Sequence, residues 1–395
     1  PSRSTSSGVP NTGSSRGMKK TRCRIGRAFK WSVAVALGLG PIAAEAQTPP
    51  TPPSAWNQSA AADYLDGRQR WWSAWEGSDR DHDTSCVSCH TTLPYMLARP
   101  ALQGALNESG PTAVENAVAT GVSRRVRLWN EVEPYYPDQT VGLPKTSESR
   151  GTEAVLNALV LASRDARAGS LRSDSRKAFE NLWRLQFTHG DETGAWAWLN
   201  FGLAPWESDR SAYFGAALAA IAVGIAPDGY ADSPDIQEPL ARLRSYLRED
   251  LQSRSPYDRV FGLWAATELP GLLTVEQGES VVSLLEELQN PDGGWSLSSL
   301  GPWQRQDGSA PVRASDGYAT GLVAYVLLRA GTSREHPIVF RALAWLVNSQ
   351  DAAGHWPANS LNKERDPTSD RGRFMADAAT AFAVLALTEA DGPGE

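Results

Sequence analysis

Three residues have types and spacing that could do chemistry together: Cys86, Cys89 and His90, in the run Cys86-Val87-Ser88-Cys89-His90. Two thiols three positions apart share one turn, so both can add to the vinyl groups on one porphyrin edge. The adjacent imidazole can then meet the iron as proximal ligand. The pattern predicts one covalently held haem c, tethered by Cys86 and Cys89 and ligated by His90. Two other uses of these side chains stay open. The thiols can form a disulfide or a dithiol pair, or they can be half of a zinc site. Zinc is the weaker of the two, because there is no second Cys pair and the nearest further ligand is the isolated His82.

Haem c is attached outside the bacterial cytoplasm, and the N-terminal sequence agrees with export. Met18 opens a basic stretch with Lys19, Lys20, Arg22, Arg24, Arg27 and Lys30, followed by an apolar run over 31–44. Ala44-Glu45-Ala46 then supplies a small-x-small site, so 18–46 reads as a secretory leader cleaved after Ala46. The apolar run is too short to span a bilayer, and residues 1–17 are set aside as an upstream extension. Cleavage would remove Cys23 and leave the box holding both thiols of the mature chain. Residues 1–46 carry eight Lys/Arg against one Glu, a surplus of seven, so the net charge would pass from −7 to −14. So acidic a surface argues against nucleic acid and anionic membranes as partners. The expected location is periplasmic or secreted, with no stable membrane span after cleavage.

Residues 47–55 form a Pro-rich linker. Residues 56–75 read as a helix with Trp71, Trp72 and Trp75 on its apolar face and Arg68 and Arg70 on its polar side. After an acidic loop at 79–83 and the box, 91–106 reads as helix broken by Pro94 and Pro100. The segment 56–109 is too short to have its own core, so a haem held there must lean on the rest. From 110 to 390 two kinds of helix alternate. Small-residue apolar segments at 152–162, 211–224, 260–267, 318–330 and 376–387 interleave with charged amphipathic ones at 176–187, 237–251, 275–289 and 337–350. The period of roughly 50–60 residues predicts an all-α protein, an α/α toroid with an inner ring wrapped by an outer one. Almost no sheet is expected.

The joints repeat as well. Gln289, Gly293 and Trp295 share the spacing of Gln350, Gly354 and Trp356, and Gln186, Gly194 and Trp196 give a looser copy. The Gln amide can bind orphan backbone groups at a helix end, Gly permits positive φ, and Trp can fold back over the helix. These turns resemble the QW motifs of the squalene–hopene cyclase and prenyltransferase-like toroid superfamily, over roughly residues 150–390. The resemblance implies a six-fold α/α barrel with an apolar central cavity. With its leader and box, the chain also looks like secreted bacterial squalene cyclase-like proteins that carry CxxCH. It departs from the cyclases in chemistry. Their D-x-D-D run has only single-aspartate counterparts, Asp316 before Gly317 and Asp377 after Ala376. A D-D-x-x-D site is absent and both mature thiols lie outside the repeats, so terpene cyclase and prenyltransferase activities are not expected.

Inner-helix starts repeatedly carry an acid. Asp209, Asp258, Asp316 and Asp377 are candidate catalytic carboxylates, with Trp206, Glu207, Arg210, Tyr213, Arg259 and Tyr318 as candidate cavity wall. Capping of free N–H groups explains each acid without a ligand. The alternative is a ring of general acids and bases for a sugar, a chemistry that several α/α toroids perform. For the far side of the iron, Met375, His189 and His355 are expected to cluster at one end of the barrel. The leading expectation is therefore a haem c toroid that binds an apolar or amphipathic small molecule or a redox partner. A carbohydrate-active toroid with a Cys86–Cys89 disulfide, or a non-catalytic binding module, is the alternative.

Overall fold

A computed structural model describes residues 55–249 and 251–392, so the expected leader, Cys23 and nearly all of the linker lie outside the described residues. The chain opens with α1 (Gln58–Ala74), a short hairpin of β1 (Asp79–Arg80) and β2 (Thr84–Ser85), and α2 (Thr92–Ala98). It continues through α3 (Ala113–Arg127), α4 (Asp138–Val141), α5 (Lys145–Ala168), α6 (Ser173–Arg184), α7 (Ala212–Ile225) and α8 (Gln237–Arg248). The last helices are α9 (Pro256–Glu268), α10 (Val275–Leu288), α11 (Gly317–Arg329), α12 (Pro337–Ser349) and α13 (Phe374–Asp391).

Six of these helices close a ring. α2 packs on α5, α5 on α7, α7 on α9, α9 on α11, α11 on α13, and α13 returns to α2. The remaining long helices wrap the outside, with α6 on α5, α8 on α7, α10 on α9 and α12 on α11, while α3 covers α5 and α6 and α1 covers α13. This is an α/α toroid. The inner helices are small-residue-rich because neighbours press on several sides. Gly321 shows the limit: a Cβ there would lie 2.6 Å from the backbone nitrogen of Ala383 on the facing helix. The outer helices bury one stripe, as α6 does with Ala178, Phe179 and Leu182.

The boundary expected at residue 110 falls inside this ring, because α1 and α2 are its first outer–inner pair. Pro94 sits in the first turn of α2, where a missing N–H costs nothing, and Pro100 instead starts a 3₁₀ turn, Arg99–Leu102. Arg68, expected on the polar side of α1, is only 5% exposed, because α13 covers that side.

The three joints are wired alike. Gln186, Gln289 and Gln350 each donate from Nε2 to the carbonyl of the turn glycine and to the next outer helix or its cap, at Pro239, Ile338 and Asn57. Trp196, Trp295 and Trp356 donate indole N–H back to Leu182, Leu285 and Leu346 at the end of the preceding helix. The third joint closes the ring, since Asn57 N also donates to Gln350 Oε1 at 2.7 Å.

The centre of the ring is filled. Trp206, Phe214, Phe261, Trp264, Tyr318 and Phe382 meet there and leave a gap of only about 10 Å³. Tyr318 OH bonds Tyr257 OH at 2.7 Å and accepts from Trp206 Nε1 at 3.1 Å. The apolar central cavity that the QW resemblance implies is thus replaced by an aromatic plug, and Trp206 and Tyr318 help to build it. The usable space lies at the mouth.

Candidate functional site

The loops leading into α2, α5, α7 and α13 meet at one end of the ring around a cleft of about 1020 Å³, measured out to bulk solvent. The box forms part of its wall. Trp72 Nε1 donates to Cys86 O at 2.9 Å, Tyr135 OH accepts from Val87 N at 3.2 Å, and Ser88 Oγ accepts from Thr91 N and Thr92 N to cap α2. The hairpin before the box is tied to α3 and α5 by Arg125, which binds Asp81, Thr84, Glu133 O and Glu153. The box is therefore held from outside its own segment, as its size requires.

Cys86 and Cys89 are unbridged thiols, 6% and 5% exposed, and both line the cleft with His90 and Met375. Burial pushes the Cys86 thiol up to about 11 and Cys89 well above its ordinary value, so both are protonated at neutral pH. Burial, with Arg68 nearby, lowers His90 to about 3, so its imidazole is neutral. Its Nδ1 contacts Thr91 Oγ1 at 2.8 Å, and among the described residues its Nε2 has no hydrogen-bond partner. The ring stacks on Phe374 at 3.8 Å and meets the edge of Trp72 at 5.0 Å.

The other walls are Trp75, Tyr135, Tyr136, Trp206 and Phe374, with Arg365 and Arg371 at the rim. Neither arginine forms an ion pair among the described residues. Arg371 lies 5.3 Å from the Trp75 ring, and Trp75 stacks on Trp71 at 5.4 Å. Glu207 is the one carboxylate of the cleft wall. Burial pushes it up to about 7, against a weaker pull from Lys145, which already pairs with Glu148.

A raised carboxyl makes stability fall as pH rises. The folded protein holds the Glu207 proton at a pH where the unfolded chain, near 4.5, has lost it. The favourable contribution is whole below about pH 4.5 and is gone above about pH 7. Glu207→Gln should therefore gain on the wild type between those limits, read as a smaller fall in urea midpoint. Parallel midpoint-versus-pH curves would show that the Glu207 carboxyl titrates alike in the folded and unfolded chain, against this reading.

The remaining candidates lie elsewhere or have other partners. Asp316 caps α11, accepting from Tyr318 N, Ala319 N and Leu297 N, and burial still raises it to about 6. Asp258 pairs with the capping Ser255 at the start of α9 and is also raised to about 6 by burial. Asp316 is a cap, Asp258 braces the cap residue from the first turn of α9, and neither lines the cleft. Asp377 is buried against Arg68, Tyr64 and Thr91. Asp209 and Arg210 are exposed. Tyr213 turns outward to donate to Leu247 O, and Arg259 reaches Arg254 O and Gln252, so these two do not form cavity wall. Of the three iron-ligand candidates only Met375 reaches the cleft. His189 is exposed in its joint, and His355 stacks on Tyr64 at 4.7 Å and pairs with Asp351. The expected cluster of Met375, His189 and His355 therefore does not form at the cleft.

Sequence reasoning missed Tyr135, Tyr136, Arg365, Arg371 and Phe374 as wall residues. The available signal was the cluster of Lys363, Arg365, Arg371 and Arg373 in an otherwise acidic chain. Among the described residues no three His, Cys, Asp or Glu side chains gather as a metal site, and no helix is long and apolar enough to cross a membrane.

Fold and site together define an α/α toroid with a CxxCH box in its mouth. No protein-family model matches the chain, and no curated protein matches it. Solved structures with a similar course include a glycosidase point variant, at 13% identity and TM-score 0.43, covering 84% of this chain and 98% of that one. A glycosidase variant in complex with glucose matches at 13% identity and TM-score 0.45, with the same coverage of 84% and 98%. A possible GH105 family member from Klebsiella pneumoniae subsp. pneumoniae MGH 78578 matches at 14% identity and TM-score 0.34, covering 84% and 81%.

Proposed function

We propose that this chain is an exported haem c protein whose haem sits in the mouth cleft of the toroid. One observation carries the reading. Two unbridged thiols in CxxCH spacing, a neutral imidazole with an unpartnered Nε2 and a methionine thioether all line the same cleft. The residues fit the group. Cys86 and Cys89 would tether the porphyrin, and His90 and Met375 would offer its iron an imidazole and a thioether. The aromatic walls would pack against the porphyrin faces, and the unpaired Arg365 and Arg371 suit its carboxylates. Bound haem would supply one-electron exchange. A small amphipathic molecule or a redox protein would approach over the rim, where Trp71 and Trp75 are partly exposed. The leader-like 18–46 supports export to the periplasm or beyond.

The test is a pyridine haemochrome spectrum of protein exported alongside haem c attachment machinery. A c-type α band that survives acid–acetone extraction in the wild type and vanishes in Cys86→Ala/Cys89→Ala is expected. A colourless wild type would sink the reading.

One feature favours a second reading, a sugar-processing toroid. Glu207 is a carboxyl held near neutrality among aromatic rings, as a general acid is. Against it, glycoside hydrolysis in most families needs a second carboxylate across the bond, and the cleft wall offers no other. A colourless protein that cleaves a glycan, and loses that activity in Glu207→Gln, would establish this reading instead.

A further inference from the structure

We infer that Asp377 and Thr91 form a positioning pair that fixes the tautomer of His90, holding the proton on Nδ1 and leaving the Nε2 lone pair free toward the cleft. Thr91 Oγ1 lies 2.7 Å from Asp377 Oδ2 and 2.8 Å from His90 Nδ1. Asp377 also accepts from Arg68 Nε at 2.7 Å, Arg68 Nη2 at 3.1 Å and Tyr64 OH at 2.9 Å. Burial alone raises this carboxyl, but it faces two N–H groups of a guanidinium that can only donate, and that fixed positive charge favours the carboxylate. Asp377 is thus the acceptor, and the single hydroxyl proton of Thr91 goes to it.

Toward His90 the Thr91 oxygen then has only lone pairs to offer. Nδ1 must be the N–H, and in a neutral ring Nε2 must be bare. Asp377, one of the acids expected at the cavity, acts here through Thr91 and touches nothing in the cleft. Its partner Arg68 comes from α1, so the tautomer is set jointly by the first and last helices of the ring.

That the free nitrogen serves a haem iron rests on the proposed function, whereas the tautomer itself does not. The experiment therefore uses the full mature chain made without haem, with ¹⁵N-labelled histidine. A long-range ¹H–¹⁵N correlation reports which ring nitrogen of His90 carries the proton, with His90→Gln used to assign the signal. In the wild type the Nδ1–H form is expected. Thr91→Val keeps the shape but removes the acceptor, so the Nδ1–H signal should be lost or shared with the Nε2–H form. Thr91→Ser should restore it. A wild type that shows Nε2–H overturns the inference without reference to any variant, as does a folded Thr91→Val protein with unchanged tautomer. A colourless haemochrome result would leave this outcome standing, so failures of the two readings are distinguishable.

Discussion

Replacing Arg125 by methionine is expected to cost about 3–5 kcal/mol at neutral pH and to loosen the box hairpin. Arg125 and Glu153 have fully buried side chains, and the guanidinium uses all five of its donors. Nε and one Nη2 proton go to Glu153, the other Nη2 proton to Glu133 O, and the Nη1 pair to Asp81 and Thr84. The cation also lies 4.7 Å from the Tyr135 ring, which lines the cleft. Removing it leaves a buried carboxylate whose nearest remaining cation is Arg150 at 3.7 Å. Burial already pushes Glu153 up, so the deficit should shrink on acidification, where a neutral carboxyl needs no partner charge. Urea unfolding at two pH values reads both effects. Faster tryptic cleavage after Arg80 reads the hairpin. Arg125→Lys keeps the charge without the fork and should restore only part of the loss. A variant as stable as the wild type would mean that this pair contributes nothing net.

Gly354→Ala should cost about 3 kcal/mol, whereas Gly331→Ala should cost about 1 kcal/mol. Both glycines hold positive φ, 87° and 86°, so the backbone penalty is common to the two. They differ in what an added methyl meets. At Gly331 there is open space, while at Gly354 the new Cβ would lie 2.3 Å from the backbone carbon of Ala60 in α1. The difference between the two urea midpoints thus isolates the seating of α1 on its joint. Equal losses would show that α1 can shift without cost. If it cannot, Gly354→Ala should also disturb Trp72 and Arg68, and with them the support of Cys86 and Asp377.

The repeat was legible because its causes are local. A helix end, a glycine at positive φ and a returning Trp recur within a few residues, so Gln289–Trp295 and Gln350–Trp356 display the joint in sequence alone. The box was legible for the same reason. What sequence did not display was partnership over distance. Asp377 looks like a cap or a catalytic acid until Arg68, 309 residues away, is placed against it. His355 looked available to a metal until Tyr64 of α1 covered its ring. The filling of the ring's centre was equally hidden, since it depends on six aromatic side chains from four inner helices and one loop arriving together. Glu207 was within reach as a wall residue, but its near-neutral carboxyl follows from burial that no local pattern states.

The closure of the ring by its two ends has a kinetic consequence. Asn57 finds Gln350 across 293 residues and Thr91 finds Asp377 across 286, so these contacts have very high contact order. Pairings of that kind form late and slowly, after shorter-range helix pairs have shortened the effective loop. During synthesis the CxxCH turn emerges early, while α13, the helix that completes its shelter, follows after the other described helices. The two thiols, almost fully covered in the finished ring, therefore pass through an interval in which they are open to solvent. The length of that interval is set by the docking rate of the C-terminal helix. Slowing that docking would lengthen the time for which the two thiols stay exposed, and accelerating it would close the fold over them sooner.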